Sequence, residues 1–402
     1  MARKLKRDLT VEEQLARGPL DLPFLMLVLL LTAIGVIMMF SASYADALYN
    51  MDDPTYYFMR QGLFAIGGVV IMYFMSKINY QTLRWLSVFA LVGSIILLVM
   101  VKIPGIGASG GGANRWIRAI GPLPRWQPSE AAKLGVILYF SARLSKRNTE
   151  KKRHFNKRTY SGHFLELLDR IGFLELVPYG VVLVIIAGLL LLQPHLSATI
   201  LILAIGASIL FAAGIRMGWF VAGGAFMTAA LWLVVNTTDY MSDRIAIWKN
   251  PWTDTQGDGY QIVQSLYAIG SGGLLGLGIG NSRQKFLYLP ELQNDYVFPI
   301  VCEELGFIGA AMILLLFALL IIRGYWLALH ARDRFGALLI VGITTQVAVQ
   351  VFLNIGVVTN LIPPTGISLP FFSYGGTALV IQLVEMGIVL SVSRQIPAPK
   401  AG

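Results

Sequence analysis

The stretch that decides the fold is LPELQNDYVFPIVCEELGFIGAAMILLLFALLII, residues 289–322, in which a polar loop gives way to a long apolar segment. The apolar part, residues 298–322, is long enough to cross a membrane as a helix, which takes about 20 mostly apolar residues. Glu303 and Glu304 fall near its start, where an acid costs about 2.5–3.5 kcal/mol unless it is paired, protonated or in contact with water. The stretch predicts a membrane-spanning helix with acidic groups at its mouth.

The rest of the chain has the same apolar character. Its 402 residues are 56% hydrophobic and 13% charged, about half the charged share of soluble domains, so we interpret it as an all-α integral membrane protein. About ten transmembrane helices are predicted, and because spanning helices pack as one unit we treat the bundle as one domain. The predicted spans are 22–43, 57–76, 82–101, 128–145, 172–192, 196–214, 217–236, 298–322, 335–357 and 372–393.

The start of the chain looks like a signal peptide, since a basic segment precedes the apolar run LPFLMLVLLLTAIGVIMMFSASYADA at residues 22–47. That run is too long for the hydrophobic part of a signal peptide, and more spans follow, so we expect an uncleaved first span.

The basic residues predict the orientation. With both termini in the cytoplasm, most Lys and Arg residues lie in inward-facing segments, as the positive-inside rule requires. Residues 1–21 are then a basic cytoplasmic segment, 22–395 the ten-helix membrane domain and 396–402 a cytoplasmic tail. Residues 237–297 form a large extracytoplasmic loop between the seventh and eighth spans. The net charge of +10 therefore reflects topology, and no nucleic-acid partner is predicted.

Several local patterns add or exclude features. The run KRNTEKKRHFNKR, residues 146–158, is either a solvated topology-setting loop or a site for anionic lipid or a partner. The run GSGGLLGLGIG, residues 270–280, is too rich in glycine for a lipid-facing helix, so re-entrant or cavity-lining backbone is expected. Cys302 is the single cysteine, which excludes an intramolecular disulfide.

No nucleotide cofactor is predicted. GIGASG, residues 105–110, fits the G-x-G-x-x-G pattern but follows a membrane span and opens no βαβ unit. The sequence has no Walker A motif, no H-E-x-x-H and no Asp-x-Asp pair for a metal-bound sugar nucleotide.

Asp295 is the candidate general base. It precedes Pro299, a residue suited to the first turn of a helix, and a helix N-terminus favours the ionised carboxylate that a base needs. A simple helix cap is the alternative. For Glu303 and Glu304 we expect a supporting pair that is bonded to neighbouring helices.

Two other groups of residues suggest a polar site on the outer side. Glu130 and Lys133, three apart in RWQPSEAAKLG, can pair on one helix face and hold a phosphate, or form only an ion pair within the membrane. The segment PPTGISLPFFSYGGTAL, residues 363–379, is either cavity-lining backbone or an external loop. Further cations predicted on this side are Arg60, Arg115, Arg118, Arg244 and Lys285.

Three motifs, QPSEAAKLGVI at 127–137, the run from GDGYQ to GFIGA at 257–310, and NIGVVTNLIPPTGISLPFFSYGGTALV at 354–380, together resemble the SEDS family of bacterial membrane glycosyltransferases. The resemblance implies a ten-helix fold that polymerises lipid II into glycan strands on the outer face of the cytoplasmic membrane, beside a class B penicillin-binding transpeptidase. In the family pattern Asp295 is the essential acid.

The same resemblance implies the substrate-binding residues. Lys133 and Glu130 match the polar cavity of the family, and Arg60 in MRQGL and Arg244 in SDRIAIW match further family positions. His195 departs from the family, because many relatives have an acid there, and we expect a satisfied histidine at the rim of the site rather than a catalytic group.

The implied reaction is an inverting transfer in which Asp295 takes the proton of the attacking sugar hydroxyl, while Lys133, Arg60 and Arg244 stabilise the leaving pyrophosphate. A divalent cation, Mg²⁺ or Mn²⁺, is left open. The motifs favour the division members of the family, at the septum with other division proteins, over the elongation members, and sporulation members resemble the division members closely.

Two other functions stay open at this point. A lipid II flippase would need polar groups through the whole bilayer and inverted repeats, whereas the sequence suggests polar groups at one face and no repeat. A scaffold that only recruits division proteins would need no acid at residue 295.

Overall fold

The computed structural model describes residues 19–396 except 111–112, 119–125, 148–171, 238, 258, 287 and 290–291. The helices in this part of the chain are α1 (Leu22–Met51), α2 (Tyr56–Lys77), α3 (Gln81–Met100), α4 (Pro128–Leu144), α5 (Phe173–Leu192), α6 (Leu196–Ala212), α7 (Met217–Thr237), α8 (Asp239–Lys249), α9 (Tyr260–Ser271), α10 (Val297–Leu329), α11 (Arg334–Val358) and α12 (Gly376–Ser393). A 3-10 helix, Pro251–Asp254, lies between α8 and α9, and the antiparallel strands β1 (Gly107–Gly110) and β2 (Ala113–Ile117) follow α3.

The expected all-α membrane fold is confirmed. Seven of the described helices, α1, α2, α3, α5, α10, α11 and α12, have the length and apolarity to cross a membrane, while α6 and Met217–Ala229 of α7 are shorter apolar helices. Each of the ten predicted spans coincides with a helix. The number of crossings, the orientation and the domain boundaries stay predictions, and most of the two terminal segments and of the basic run lies outside the described residues.

The centre of the bundle is α11, which packs against α4, α6, α10 and α12. The most extensive helix contact joins α2 to α12, and small residues allow it. A Cβ at Gly68 would lie 2.5 Å from the Leu383 side chain, and one at Gly387 would lie 2.7 Å from the Met72 carbonyl oxygen. Helices in membranes approach closely at such small residues.

A break divides α10 near its N-terminal end. Gly306 has φ 69° and ψ −171°, so the helical hydrogen bonds stop there. The glycine-rich run fills the gap, because Leu277 N donates to Glu303 O (3.0 Å) and Phe307 N donates to Gly273 O (2.9 Å). From Gly272 onwards the run is therefore non-helical backbone that is hydrogen-bonded to α10, while most of its residues are exposed. That it re-enters the membrane or lines a cavity stays a prediction.

Candidate functional site

Asp295 lies just outside the N-terminus of α10. The N-cap of this helix is Tyr296, which makes no side-chain cap bond, and Pro299 is in the first turn as predicted. Asp295 is half-buried. Asp295 is therefore not the N-cap residue of α10, and its carboxylate lies at the helix mouth beside another part of the chain.

That neighbouring part is the stretch of residues 363–375 between α11 and α12, here called the proline–glycine loop. Gly366 in this loop has φ +66°, and a Cβ on it would lie 3.1 Å from the Asp295 carboxylate oxygen Oδ2. Arg244 Nη1 donates to Pro364 O (2.9 Å) and Ser197 Oγ donates to Thr365 O (2.6 Å). The first half of the loop therefore brings Asp295 and Arg244 to neighbouring positions.

The second half of the loop is fixed to α2 and to the segment before α10. The buried Gln61 donates to Ser373 O (3.1 Å) and accepts from Gly375 N (3.3 Å), while Tyr374 N donates to Gln293 O (2.6 Å). The loop residues Leu369, Phe371 and Phe372 are buried. The loop is thus packed inside the protein, which excludes the simple external connection.

Glu130 and Lys133 form the predicted pair on α4, with Lys133 Nζ 2.7 Å from Glu130 Oε2. Lys133 is only 1% exposed. A small pocket lies between Glu130 and the second half of the loop, and its lining includes Gln350, Gln382 and Tyr374 but neither Lys133 nor Asp295. Lys133 therefore lies behind Glu130.

Arg60 reaches the same pocket through Tyr374. It is exposed on α2 with its guanidinium 4.1 Å from the centre of the Tyr56 ring, and its charge also acts on the Tyr374 hydroxyl. The candidate residues thus lie in two groups along the proline–glycine loop. Asp295 and Arg244 lie at its first half, and Arg60 and Glu130 lie at its second half. The structure does not place Asp295 and Lys133 in one cavity.

Glu303 and Glu304 are buried and support the loop that precedes α10. Glu304 accepts from Ser41 Oγ in α1 (2.7 Å) and pairs with Lys285 Nζ (3.2 Å). Glu303 accepts from Arg283 N (3.0 Å) and from the Ser282 hydroxyl. The expected bond to a neighbouring helix is thus found for Glu304, whereas Glu303 binds a loop. Lys285, one of the cations predicted on the outer side, therefore pairs with Glu304 within this buried cluster.

The cations after α3 serve local structure. Arg118 Nε donates to Gly107 O (3.2 Å), and Arg115 donates to the carbonyl of Pro194. His195 follows Pro194 and is buried, and its Nδ1 has no hydrogen-bond partner among the described residues. Burial, together with the charges of Arg115 and Lys133, lowers the pKa of His195 to about 3. His195 is therefore buried, and of its two ring nitrogens only Nε2 has a contact among the described residues, 3.5 Å from Gln127 Nε2, so the expectation of a satisfied histidine is met at one nitrogen only.

Glu385 is a polar residue that sequence reasoning missed. It is fully buried in the middle of α12, accepts a hydrogen bond from Gln346 Nε2 (2.7 Å) and is acted on by the charges of Lys133 and Glu130. The sequence does contain a signal for it, because Glu385 is an isolated acid in an otherwise apolar span, and such acids often have a functional role. Its position in the middle of α12 differs from the expectation that the polar groups are concentrated at one face.

The residues of the site do not form a recognisable metal centre. In the described part of the chain, no three His, Cys, Asp or Glu side chains lie close enough together to hold an ion. Cys302 is buried, as expected for an apolar segment.

Comparison with known proteins extends over nearly the whole chain. The FtsW/RodA/SpoVE family model, described as cell cycle protein, matches residues 21–397. Stage V sporulation protein E of Bacillus subtilis is 42% identical over 374 residues, which is 93% of this chain and 97% of the relative. The probable peptidoglycan glycosyltransferase FtsW of Geobacter metallireducens is 39% identical over 376 residues, 94% of this chain and 95% of the relative.

Solved structures show the same architecture. A chain from the structure described as "Structural coordination of polymerization and crosslinking by a peptidoglycan synthase complex" has a TM-score of 0.74 and 27% identity, and covers 94% of this chain and 98% of that chain. Rod shape determining protein RodA of Thermus thermophilus has a TM-score of 0.64 and 25% identity, with 94% and 98% coverage. The chain belongs to the FtsW/RodA/SpoVE family of cell cycle proteins.

Proposed function

We propose that this protein is a peptidoglycan glycosyltransferase that polymerises lipid II into β-1,4 glycan strands on the outer face of the bacterial cytoplasmic membrane. The main support is that relatives named probable peptidoglycan glycosyltransferase FtsW align with 94% of the chain. The geometry agrees, since an acid and a cation, Asp295 and Arg244, meet at one buried loop.

In the proposed reaction Asp295 is the general base. It accepts the proton of the 4-hydroxyl of a terminal GlcNAc while that oxygen attacks the anomeric carbon of a second, α-linked substrate. The bond from that carbon to the pyrophosphate oxygen breaks, a β-1,4 bond forms, and polyprenyl pyrophosphate leaves. One displacement inverts the configuration and needs one base, typically worth about 10²–10⁴ in rate.

Arg244, Arg60 and Lys133 are the proposed partners of the pyrophosphate, whose charge grows as the bond breaks. Arg244 is nearest to the acid along the loop, Arg60 is exposed beside Tyr374, and Lys133 acts from behind Glu130. Cations aimed at a developing charge in a poorly hydrated site stabilise the transition state strongly. We derive no step through a divalent cation, because the described residues do not assemble a set of ligands for one.

The proposed partners follow from the relatives. The structure described as a peptidoglycan synthase complex combines polymerisation and crosslinking, which supports a class B penicillin-binding transpeptidase as a partner here. We place the protein at the division septum with other division proteins. Sporulation is the second candidate role, since the sporulation protein of Bacillus subtilis is 42% identical and the Geobacter FtsW 39%.

A lipid II flippase is the second candidate activity, and one observation favours it. The Gln346–Glu385 pair puts a polar group halfway along α11 and α12, at a depth that a site at one membrane face does not need. Ionisable groups at such depth often mark transport pathways.

One experiment separates the two activities. The purified full-length chain, alone or with its class B transpeptidase, is incubated with lipid II and assayed for long glycan strands and released polyprenyl pyrophosphate. We expect strands. Scrambling of lipid II across protein-containing vesicles, with no polymer under either condition, would support the flippase and contradict the polymerase.

A further inference from the structure

We propose that Asn354 is the positioning residue for Asp295, holding the acid at a fixed distance from the proline–glycine loop. The inference rests on the proposed function and deepens it by naming a residue that acts through the base. Asn354 lies in the last two turns of α11 and is 1% exposed. It touches the backbone of the acid's segment and needs no contact with substrate.

The amide nitrogen of Asn354 joins two chain segments. Nδ2 donates to the carbonyl oxygen of Asp295 (2.8 Å) and to that of Ile367 (2.6 Å). Asp295 and Ile367 belong to the segment before α10 and to the proline–glycine loop. One side chain on the central helix α11 therefore sets the spacing between the two segments that meet at the acid.

The orientation of this amide follows from its partners. Two carbonyl oxygens can be satisfied only by the two hydrogens of an NH₂ group, so a flipped amide would set its oxygen against both of them. The side-chain oxygen Oδ1 is buried with no hydrogen-bond partner among the described residues. A buried acceptor left unpaired costs free energy. In this orientation Asn354 leaves Oδ1 unpaired but makes both donated bonds.

The spacing that Asn354 sets reaches the carboxylate itself. Gly366, the residue before Ile367, has no side chain, and Oδ2 of Asp295 lies 3.1 Å from the point that its Cβ would occupy. A shift of the loop by a few tenths of an ångström therefore changes the room around this oxygen. Asp295 also lies outside α10, so the regular hydrogen bonds of that helix do not fix it.

Asn354 is the outer end of a polar stripe on α11. Gln346 and Gln350 precede it by eight and four residues, on the same helix face, and all three are buried. Gln346 binds Glu385, and Gln350 lines the pocket beside Glu130. The stripe faces the interior of the protein along its length, which connects the acid's segment to the central helix of the bundle.

Two substitutions separate positioning from packing. Asn354→Asp keeps the size of the side chain but replaces the NH₂ donor with an acceptor, and Asn354→Ala removes both donor and volume. The matched control is Ser265→Ala, since Ser265 is also fully buried and donates to a carbonyl near the end of α11, Val358 O at 2.7 Å. All variants are purified as full-length chains, with rates normalised to the monodisperse fraction.

We expect both Asn354 variants to polymerise lipid II with kcat lowered about 10–100-fold and KM within about twofold, because a small displacement of a base slows the chemical step while leaving substrate binding intact. Ser265→Ala should stay within about twofold in both constants. Wild-type kcat in Asn354→Asp, a raised KM with unchanged kcat, or an equal loss in the control would overturn the inference. A wild-type chain that makes no polymer would instead refute the proposed function.

Discussion

At the scale of single residues, the Lys133–Glu130 pair allows stability and activity to be separated. Lys133→Met keeps most of the apolar stem but leaves the largely buried Glu130, whose side chain is 13% exposed, without its cation, and removing one partner of a fully buried ion pair typically costs about 3–5 kcal/mol, an upper bound here. Adding Glu130→Gln removes the stranded charge. The charges of Lys133 and Glu130 act on Glu385 in opposite directions, so the double variant also removes both of these effects together.

We therefore expect the single variant to lose both thermal stability and polymerisation, and the double variant to recover stability alone. Thermal unfolding and strand synthesis from lipid II measure the two properties. Full activity in a stable double variant would show that Lys133 is only structural and does not act on the pyrophosphate.

The sequence identified those residues whose partners are close in the chain or whose motif is distinctive. The Glu130–Lys133 pair followed from a spacing of three residues on one helix. Asn354 did not stand out, because its partners Asp295 and Ile367 are 59 and 13 residues away. Glu385 binds Gln346 from 39 residues away. Such contacts depend on how whole helices pack, which periodicity does not encode.

At the scale of elements, the break in α10 predicts which glycines tolerate a side chain. A Cβ on Gly276 would lie 2.2 Å from the Glu304 carbonyl oxygen, whereas Gly280 has nothing within 4 Å, and both have positive φ, +78° and +86°. Gly280→Ala should cost only the strain of a left-handed residue, about 1–2 kcal/mol. Gly276→Ala should cost about 1–3 kcal/mol more, because backbone must move.

The comparison is made by thermal or denaturant unfolding of the two variants in the same detergent. Equal losses of stability would mean that the glycine-rich run does not pack against α10 as described.

The predicted spans matched helices at their cores and differed at their ends for physical reasons. The last turns of α10 were missed because residues 323–329 contain Arg323, which stacks on Trp326 at 4.1 Å and pairs with Asp21. The last helix begins at Gly376 rather than at residue 372, since Phe371 has φ +66° and the chain turns there. Both differences arise from side-chain and backbone contacts that hydropathy does not register.

At the scale of the whole molecule, orientation in the membrane is the prediction on which the location of the site depends. Cys302 is the single cysteine and is buried, so Cys302→Ala gives a background without thiols. Asp254→Cys would then probe the large loop and Arg332→Cys the turn between α10 and α11, both exposed positions.

A membrane-impermeant thiol reagent added to intact cells should label residue 254 and leave residue 332 unlabelled until the cells are opened. The reverse pattern would place Asp295 at the cytoplasmic face, where the proposed substrate is not polymerised.

The most direct test of the account is strand synthesis by Asp295→Asn, which keeps the shape of the side chain and removes the base. Asp254→Asn is the matched control, since it makes the same change in the same long segment, on a carboxylate that binds Gly257 N. We predict that Asp295→Asn loses about 10²–10⁴ of the polymerisation rate on lipid II while Asp254→Asn keeps the wild-type rate. Wild-type synthesis by a folded Asp295→Asn protein would contradict the assignment of the base.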